Sequence, residues 1–134
     1  MHQNINEQDR NMIDTDVSYI LIDVTTGHGV VPIPGATVTI SKHIGDDNYL
    51  FLGIFLTDEN GTTQEILIPA PPERLAEDPM NPRQAFDIYF ATVNHPEFYI
   101  EENLMIQVFG RSTSFLQVNM IPLPNHEEQD VTNQ

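Results

Sequence analysis

What constrains this chain most is its punctuation. Short stretches rich in Val, Ile, Thr, Phe and Tyr are cut repeatedly by clusters of Gly, Pro, Asp and Asn, and none carries a sustained helical apolar period. β-Branched and aromatic side chains suit a pleated, half-buried surface, and Gly, Pro, Asn and Asp supply turn dihedrals. Such a chain must bury short strands against one another rather than pack helices.

The first stretch, Val17 to Thr25, stops at Thr26-Gly27-His28-Gly29. Two prolines and Gly35 then precede a clean alternation, with Ala36, Val38 and Ile40 on one parity and Thr37, Thr39 and Ser41 on the other. That is a strand with one dry and one wet face. After the polar turn Gly45-Asp46-Asp47-Asn48, the run Tyr49 to Thr57 is apolar on both parities and predicts a buried strand. Asp58-Glu59-Asn60-Gly61 predicts a hairpin turn, with Thr62 to Ile68 as the returning strand. Residues 69–84 hold five of the ten prolines and read as a long connection, with one helical turn over Glu73 to Asp78. Phe86 to Val93 resumes strand character, and Leu104 to Phe109 pairs with Ser114 to Leu123 around Gly110-Arg111-Ser112-Thr113. The sum is an all-β fold, a seven-stranded antiparallel β-sandwich over residues 17–124.

Charge and composition narrow the partners. The formal net charge is −15, with acidic tails at 1–16 and 125–134 and thirteen acids against four bases between them. Phosphate-tracking surfaces need clustered cations, so nucleic acid is not an expected partner. Cysteine is absent, which removes disulfides and thiolate chemistry. No apolar run approaches the ~20 residues that span a bilayer, so no membrane insertion is expected. The N-terminal stretch lacks a basic start and an apolar run, which predicts synthesis in the cytoplasm without a signal peptide.

The order PIPGATVTI, TDENG, a Pro-rich link, a strand, HPEFY and QVNMIPLP resembles the carboxypeptidase-regulatory-like, transthyretin-like domains. Gly35-Ala36 with Val38, Thr57-Asp58 with Gly61, and Val93 with Phe98 occupy the places of that family's motifs, while Glu97 stands where the family has Gly. The resemblance implies a transthyretin-like (prealbumin-like) sandwich. The ending LQVNMIPLP and the Pro-rich link are similar to domains found beside peptidoglycan-binding and cortex-lytic proteins of spore-forming clostridia. That implies a spore or cell-envelope setting, with peptidoglycan-associated proteins among the partners. The turn residues also have a structural reason: Gly35 lets the chain turn tightly where a Cβ would clash, and Asp58 accepts backbone N–H groups in the turn that Gly61 completes.

The resemblance does not carry an activity with it. Hydroxyisourate hydrolases of transthyretin-like fold end in Tyr-Arg-Gly-Ser, and this chain does not. Neither Gly-x-Ser-x-Gly nor His-Glu-x-x-His occurs, and the adjacent acids Glu101-Glu102 read as a solvated loop. No histidine pair among His2, His28, His43, His95 and His126 has ligand spacing. The acidic turns at Asp46 and Asp58 lack the alternating oxygens that a calcium loop needs. Collagen-adhesin B-type pilin domains share this general fold and crosslink a first-strand Lys to a last-strand Asn. The single lysine here is Lys42, in the second strand. The expectation is therefore no enzyme, no cofactor and no metal.

A sandwich open to water should show one polar parity per strand, and two strands break that rule. If Leu50, Leu52, Ile54 and Leu56 face the core, Tyr49, Phe51 and Phe55 emerge outside; on the second strand either Tyr89 and Val93 or Phe86, Ile88 and Phe90 lie outward, and the latter three are the candidate interface set. Either the Pro-rich link or the N-terminal segment covers them, or they form an interface with a protein partner or a second copy. The function expected is a non-catalytic accessory or adaptor module acting through protein contacts, with a self-assembling structural subunit as the alternative and a hydroxyisourate-hydrolase-like enzyme, disfavoured by the missing Tyr-Arg-Gly-Ser, as the third reading.

Overall fold

The structure is a computed structural model that describes residues 16–70 and 86–124. Most of the Pro-rich link, its helical turn at Glu73 to Asp78, the C-terminal acidic tail and the N-terminal one up to residue 15 lie outside the described residues; Asp16, expected in the tail, opens the first strand.

Among the described residues eight strands form two four-stranded sheets. In the first, β1 (Asp16–Thr26) is central. One of its edges pairs antiparallel with β5 (Ile66–Ala70) and, further along, with the two-residue β2 (Val31–Pro32). Its other edge pairs with β8 (Thr113–Asn119), and that pair is parallel, in register from Tyr19↔Thr113 to Thr25↔Asn119. The second sheet is antiparallel throughout, in the order β4 (Asn48–Leu56), β3 (Thr37–Gly45), β6 (Phe86–Asn94), β7 (Glu101–Phe109). Among the described residues no helix is long and apolar enough to cross a membrane.

The core is the set of inward parities. Ile20, Ile22 and Val24 of β1 meet Val38 and Ile40 of β3, Tyr89, Ala91 and Val93 of β6, and Ile106 and Val108 of β7, all buried. The alternation from Ala36 to Ser41 is realised as read, with Val38 and Ile40 inside and Thr37, Thr39 and Ser41 at the surface side.

Two predicted hairpins are not hairpins. β4 and β5 belong to different sheets, as do β7 and β8, so the turns at 57–65 and 110–112 carry the chain across the sandwich. The turn chemistry is as expected, since Asp58 Oδ1 accepts the N–H groups of Asn60 (2.9 Å) and Thr62 (3.1 Å). Turn chemistry fixes a bend but not which sheet receives the next strand. Thr57 and Thr63, both buried, hold the crossing: Thr57 Oγ1 donates to the carbonyl of Ile33 (2.7 Å) and accepts the N–H of Ala36 (2.9 Å), and Thr63 Oγ1 accepts the N–H of Ile22 (3.2 Å).

Gly61 closes this crossing at φ +76°, with its carbonyl accepting the Val24 N–H at 2.7 Å. A Cβ there would stand 2.5 Å from the Val24 carbonyl oxygen, so both space and dihedral exclude a side chain. At Gly35 (φ +72°) only the dihedral matters, since nothing crowds a Cβ; the tight approach expected from the sequence is absent.

Candidate functional site

The expectation of a buried strand from Tyr49 to Thr57 is overturned. β4 is the edge of its sheet, and Tyr49, Phe51, Ile54 and Leu56 are each more than half exposed. Apolar residues on both parities suit a fully covered strand; here nothing among the described strands covers β4's outer side.

A β-bulge decides which side chains point where. Ile40 pairs with Gly53 and Ser41 with Phe51, so Leu52 is the extra residue and parity flips across it. Before the bulge, Tyr49 (opposite His43) and Phe51 (opposite Ser41) take the outer face. After it, Ile54 (opposite Thr39) and Leu56 (opposite Thr37) take the outer face, and Phe55, opposite Val38, turns inward to pack on the core. Gly53 makes room for this ring, because a Cβ at that position would meet Phe55 Cζ at 3.2 Å. Phe55 is thus removed from the set of outward residues, and Ile54 and Leu56, expected inside, join it.

On β6 the core takes Tyr89, Ala91 and Val93, which leaves Phe86, Ile88 and Phe90 on the outer parity. The register aligns Phe51, Ser41, Phe90 and Met105 in one row across four strands, and Phe86 with Phe109 in another. Tyr49 and Phe90 meet edge to face at 5.6 Å, His43 stands 5.4 Å from Tyr49, and the Phe86 and Phe109 rings lie 5.5 Å apart. The structure therefore brings Tyr49, Phe51, Phe86, Ile88 and Phe90 onto one face.

Sequence reasoning missed Met105 and Phe109. Their signal was available, because Leu104, Ile106 and Val108 alternate with Met105, Gln107 and Phe109 and both parities hold apolar residues.

The relief of this face follows from side-chain size. β3 contributes the short Thr37, Thr39 and Ser41, and β4 beside it contributes large residues, so a trough runs along β3. On this face lies a cavity of about 130 Å³ lined by Thr39, Ser41, Tyr49, Phe90, Thr92 and Asn103. Asn103, at φ +56°, donates its N–H to Thr92 Oγ1 (3.2 Å), which fixes that wall. The walls are aromatic and the floor carries hydroxyls, with no Asp, Glu, Lys or Arg among them.

The charged groups lie elsewhere. Lys42 takes the inner parity and pairs with Asp87 at 3.3 Å, with its ammonium 5.9 Å from the Tyr89 ring centre. Tyr89 is fully buried and donates its hydroxyl to the carbonyl of Pro69 on β5 (2.8 Å). Burial, and then the Asp87 carboxylate, push the Tyr89 phenol up to about 12. Asp46, Asp47, Asp58 and Glu59 flank the two ends of β4, all exposed. Glu101 and Glu102 open β7 rather than sit in a loop. Among the described histidines, His28 donates its backbone N–H to Asn119, His43 Nε2 bonds the Asp46 carbonyl at 2.7 Å, and His95 Nδ1 accepts the Glu97 N–H. Among the described residues no three His, Asp or Glu side chains converge.

No protein-family model matches the chain, and no curated protein matches it. Solved structures do. The chain is similar to 3-chlorocatechol 1,2-dioxygenase from Rhodococcus opacus 1CP at 14% identity and a TM-score of 0.51, covering 81% of this chain and 61% of that one. It is similar to the shaft pilin SpaA from Lactobacillus rhamnosus GG at 14% identity and a TM-score of 0.51, covering 82% and 51%. A third likeness is to (S)-allantoin synthase, at 10% identity and a TM-score of 0.50 over 86% and 45%. The chain thus spans less than two thirds of each of these proteins. At such identities what is shared is the fold, and the conclusion is that this chain is a β-sandwich of the kind that enzymes and pilins both contain.

Proposed function

We propose that this protein is a non-catalytic β-sandwich accessory module that binds another protein through the outer face of the β4-β3-β6-β7 sheet. In this reading it is a transthyretin-like module placed beside peptidoglycan-associated proteins of a spore or cell envelope. The observation that carries the binding function is the outer face itself, where aromatic and aliphatic side chains of three strands surround a pocket whose lining holds no Asp, Glu, Lys or Arg. Interface cores are depleted in charge and enriched in Tyr, Phe and Met, and anchors fill desolvated pockets. The trough offers a pocket the size of one partner side chain. Acid–base chemistry would need a positioned titratable pair; the pocket lining supplies hydroxyls, an amide and two aromatic rings, which suits recognition.

The test is a double substitution, Tyr49→Ser with Phe51→Ser, compared with Phe115→Ser on the outer parity of the other sheet. The first pair is expected to abolish capture of partners from the source cells while leaving the thermal midpoint within a few degrees, and Phe115→Ser is expected to leave capture intact. Equal capture by all three proteins would overturn the assignment of this face. Concentration-dependent oligomers in light scattering, abolished by the same double substitution, would favour a self-assembling subunit instead.

A further inference from the structure

The backbone of β4 carries an inference beyond its side chains. Sheets usually protect an edge with short strands, Pro, charged residues or bulges. β2 and β5 are short and contain Pro32 and Pro69, and β7 opens with Glu101-Glu102. β4 has nine residues and no proline or charge within the strand; its pairing with β3 is interrupted by the bulge at Leu52 and by a second register shift between His43 and Gly45. One side of it is filled by β3, and the other pairs with no described strand. An unpaired edge of this kind is a template for a further strand.

Charge selects the occupant. Asp46-Asp47 precede β4 and Asp58-Glu59 follow it, so the apolar strand is bracketed by an exposed acidic pair at each end. Pairing with a second copy is penalised in either direction. Antiparallel pairing over the full strand sets Asp46-Asp47 of one copy beside Thr57-Asp58 of the other, at both ends. Parallel pairing in register sets each acidic pair beside its own equivalent. Neighbouring strands lie about 4.8 Å apart, inside the ~8 Å screening length of physiological salt, so the repulsion is felt. The same brackets attract a strand with basic ends.

We propose that the edge of β4 left unpaired by the described strands takes up an extended segment of another protein, apolar at alternate positions and flanked by Lys or Arg at both ends, as a fifth strand of the β4-β3-β6-β7 sheet. This rests on the reading of the protein as a binding module and names its partner's chemistry. Main-chain hydrogen bonds to β4 supply the affinity. Alternate side chains of the incoming strand lie beside Tyr49, Phe51, Ile54 and Leu56, and the acidic brackets set the preference for basic ends.

The test uses the full chain and a fluorescent peptide of alternating valine and threonine with paired lysines at both ends. Controls are the same peptide with glutamates at the ends, and with alternate amides N-methylated on the edge-facing side. The Lys-ended peptide is expected to bind roughly tenfold or more tightly than the Glu-ended one at low salt. It should lose most of that margin near ~1 M salt, where screening acts within ~3 Å. N-methylation is expected to abolish binding, and hydrogen exchange should slow in residues 48–56 when the Lys-ended peptide is bound. Asp46→Asn with Asp47→Asn, at an exposed turn, should cut the preference for lysine ends about threefold while leaving the fold intact.

Full binding by the N-methylated peptide would overturn the edge inference and leave the face reading standing, since side chains alone would then carry the contact. A dimer at low salt with residues 48–56 already protected would also overturn it, with a second copy as occupant. Absence of binding by every peptide would overturn it as well, and the Tyr49/Phe51 capture experiment would still decide the wider function.

Discussion

Thr57 shows how much one short polar side chain can hold. Its hydroxyl serves the carbonyl of Ile33 and the N–H of Ala36, and its own backbone pairs with Gly35 and Ala36. These bonds staple the Pro-Gly bend to the start of the sheet crossing. Thr57→Val keeps the shape and removes the hydroxyl, leaving two buried backbone groups without their partner. Each such group costs about 1–3 kcal/mol, so the variant should lose roughly 2–4 kcal/mol in urea unfolding with an unchanged m-value. A loss below ~1 kcal/mol would mean that water replaces the hydroxyl. The Thr-Asp-x-x-Gly pattern was legible in the sequence as a turn because its residues act locally, on backbone groups a few positions away. What a sequence does not display is the carbonyl of Val24 standing 2.5 Å from where a Cβ of residue 61 would be.

At the scale of elements, β3 and β4 make an instructive pair. β3 was legible because one parity is Thr, Thr and Ser, so only one face can be the wet one. β4 was not, because both parities are apolar and the bulge at Leu52 exchanges them midway, a feature that depends on pairing with β3. The exchange yields a contrast between two neighbouring phenylalanines. Phe55→Ser removes a ring packed on the core and should cost about 2–4 kcal/mol, read as a fall in thermal midpoint. Phe51→Ser removes an exposed ring and should stay within ~0.5 kcal/mol of the parent. A large loss from Phe51→Ser would place that ring in the core and cancel the outer face. The crossing turns were illegible for a related reason: Asp58-Glu59-Asn60-Gly61 encodes a bend, whereas the sheet that β5 joins is decided by where β1 already lies.

At the scale of the whole molecule, Tyr89 is one of the ties between the two sheets, rising from β6 and bonding the Pro69 carbonyl of β5. Its phenol is raised to about 12 in the folded protein, against about 10 for an exposed tyrosine. The folded state therefore keeps this proton where the unfolded chain has released it. The contribution is fully present below pH 10, falls as pH rises from 10 towards 12, and is lost above that. Unfolding across that range should show a steeper decline for the native protein than for Tyr89→Phe; superimposable pH profiles would mean that the phenol is solvated. Such a tie, like the parallel pairing of β1 with β8, joins positions far apart in sequence, which is why the two-sheet sandwich was readable from strand content while its wiring was not.

That parallel pair has a consequence for how the molecule comes into being. β1 is synthesised first of the eight strands and β8 last, so one side of β1 waits through the making of everything between. The β3–β4 pair, joined by a tight turn, needs no such delay. Until β8 is made, one side of β1 lacks its partner, while among the described strands the outer edge of β4 has none even in the finished fold. Contacts of long sequence separation form slowly, and partly assembled sheets adhere to one another. The net charge of −15 opposes such contacts between copies before the last strand is in place.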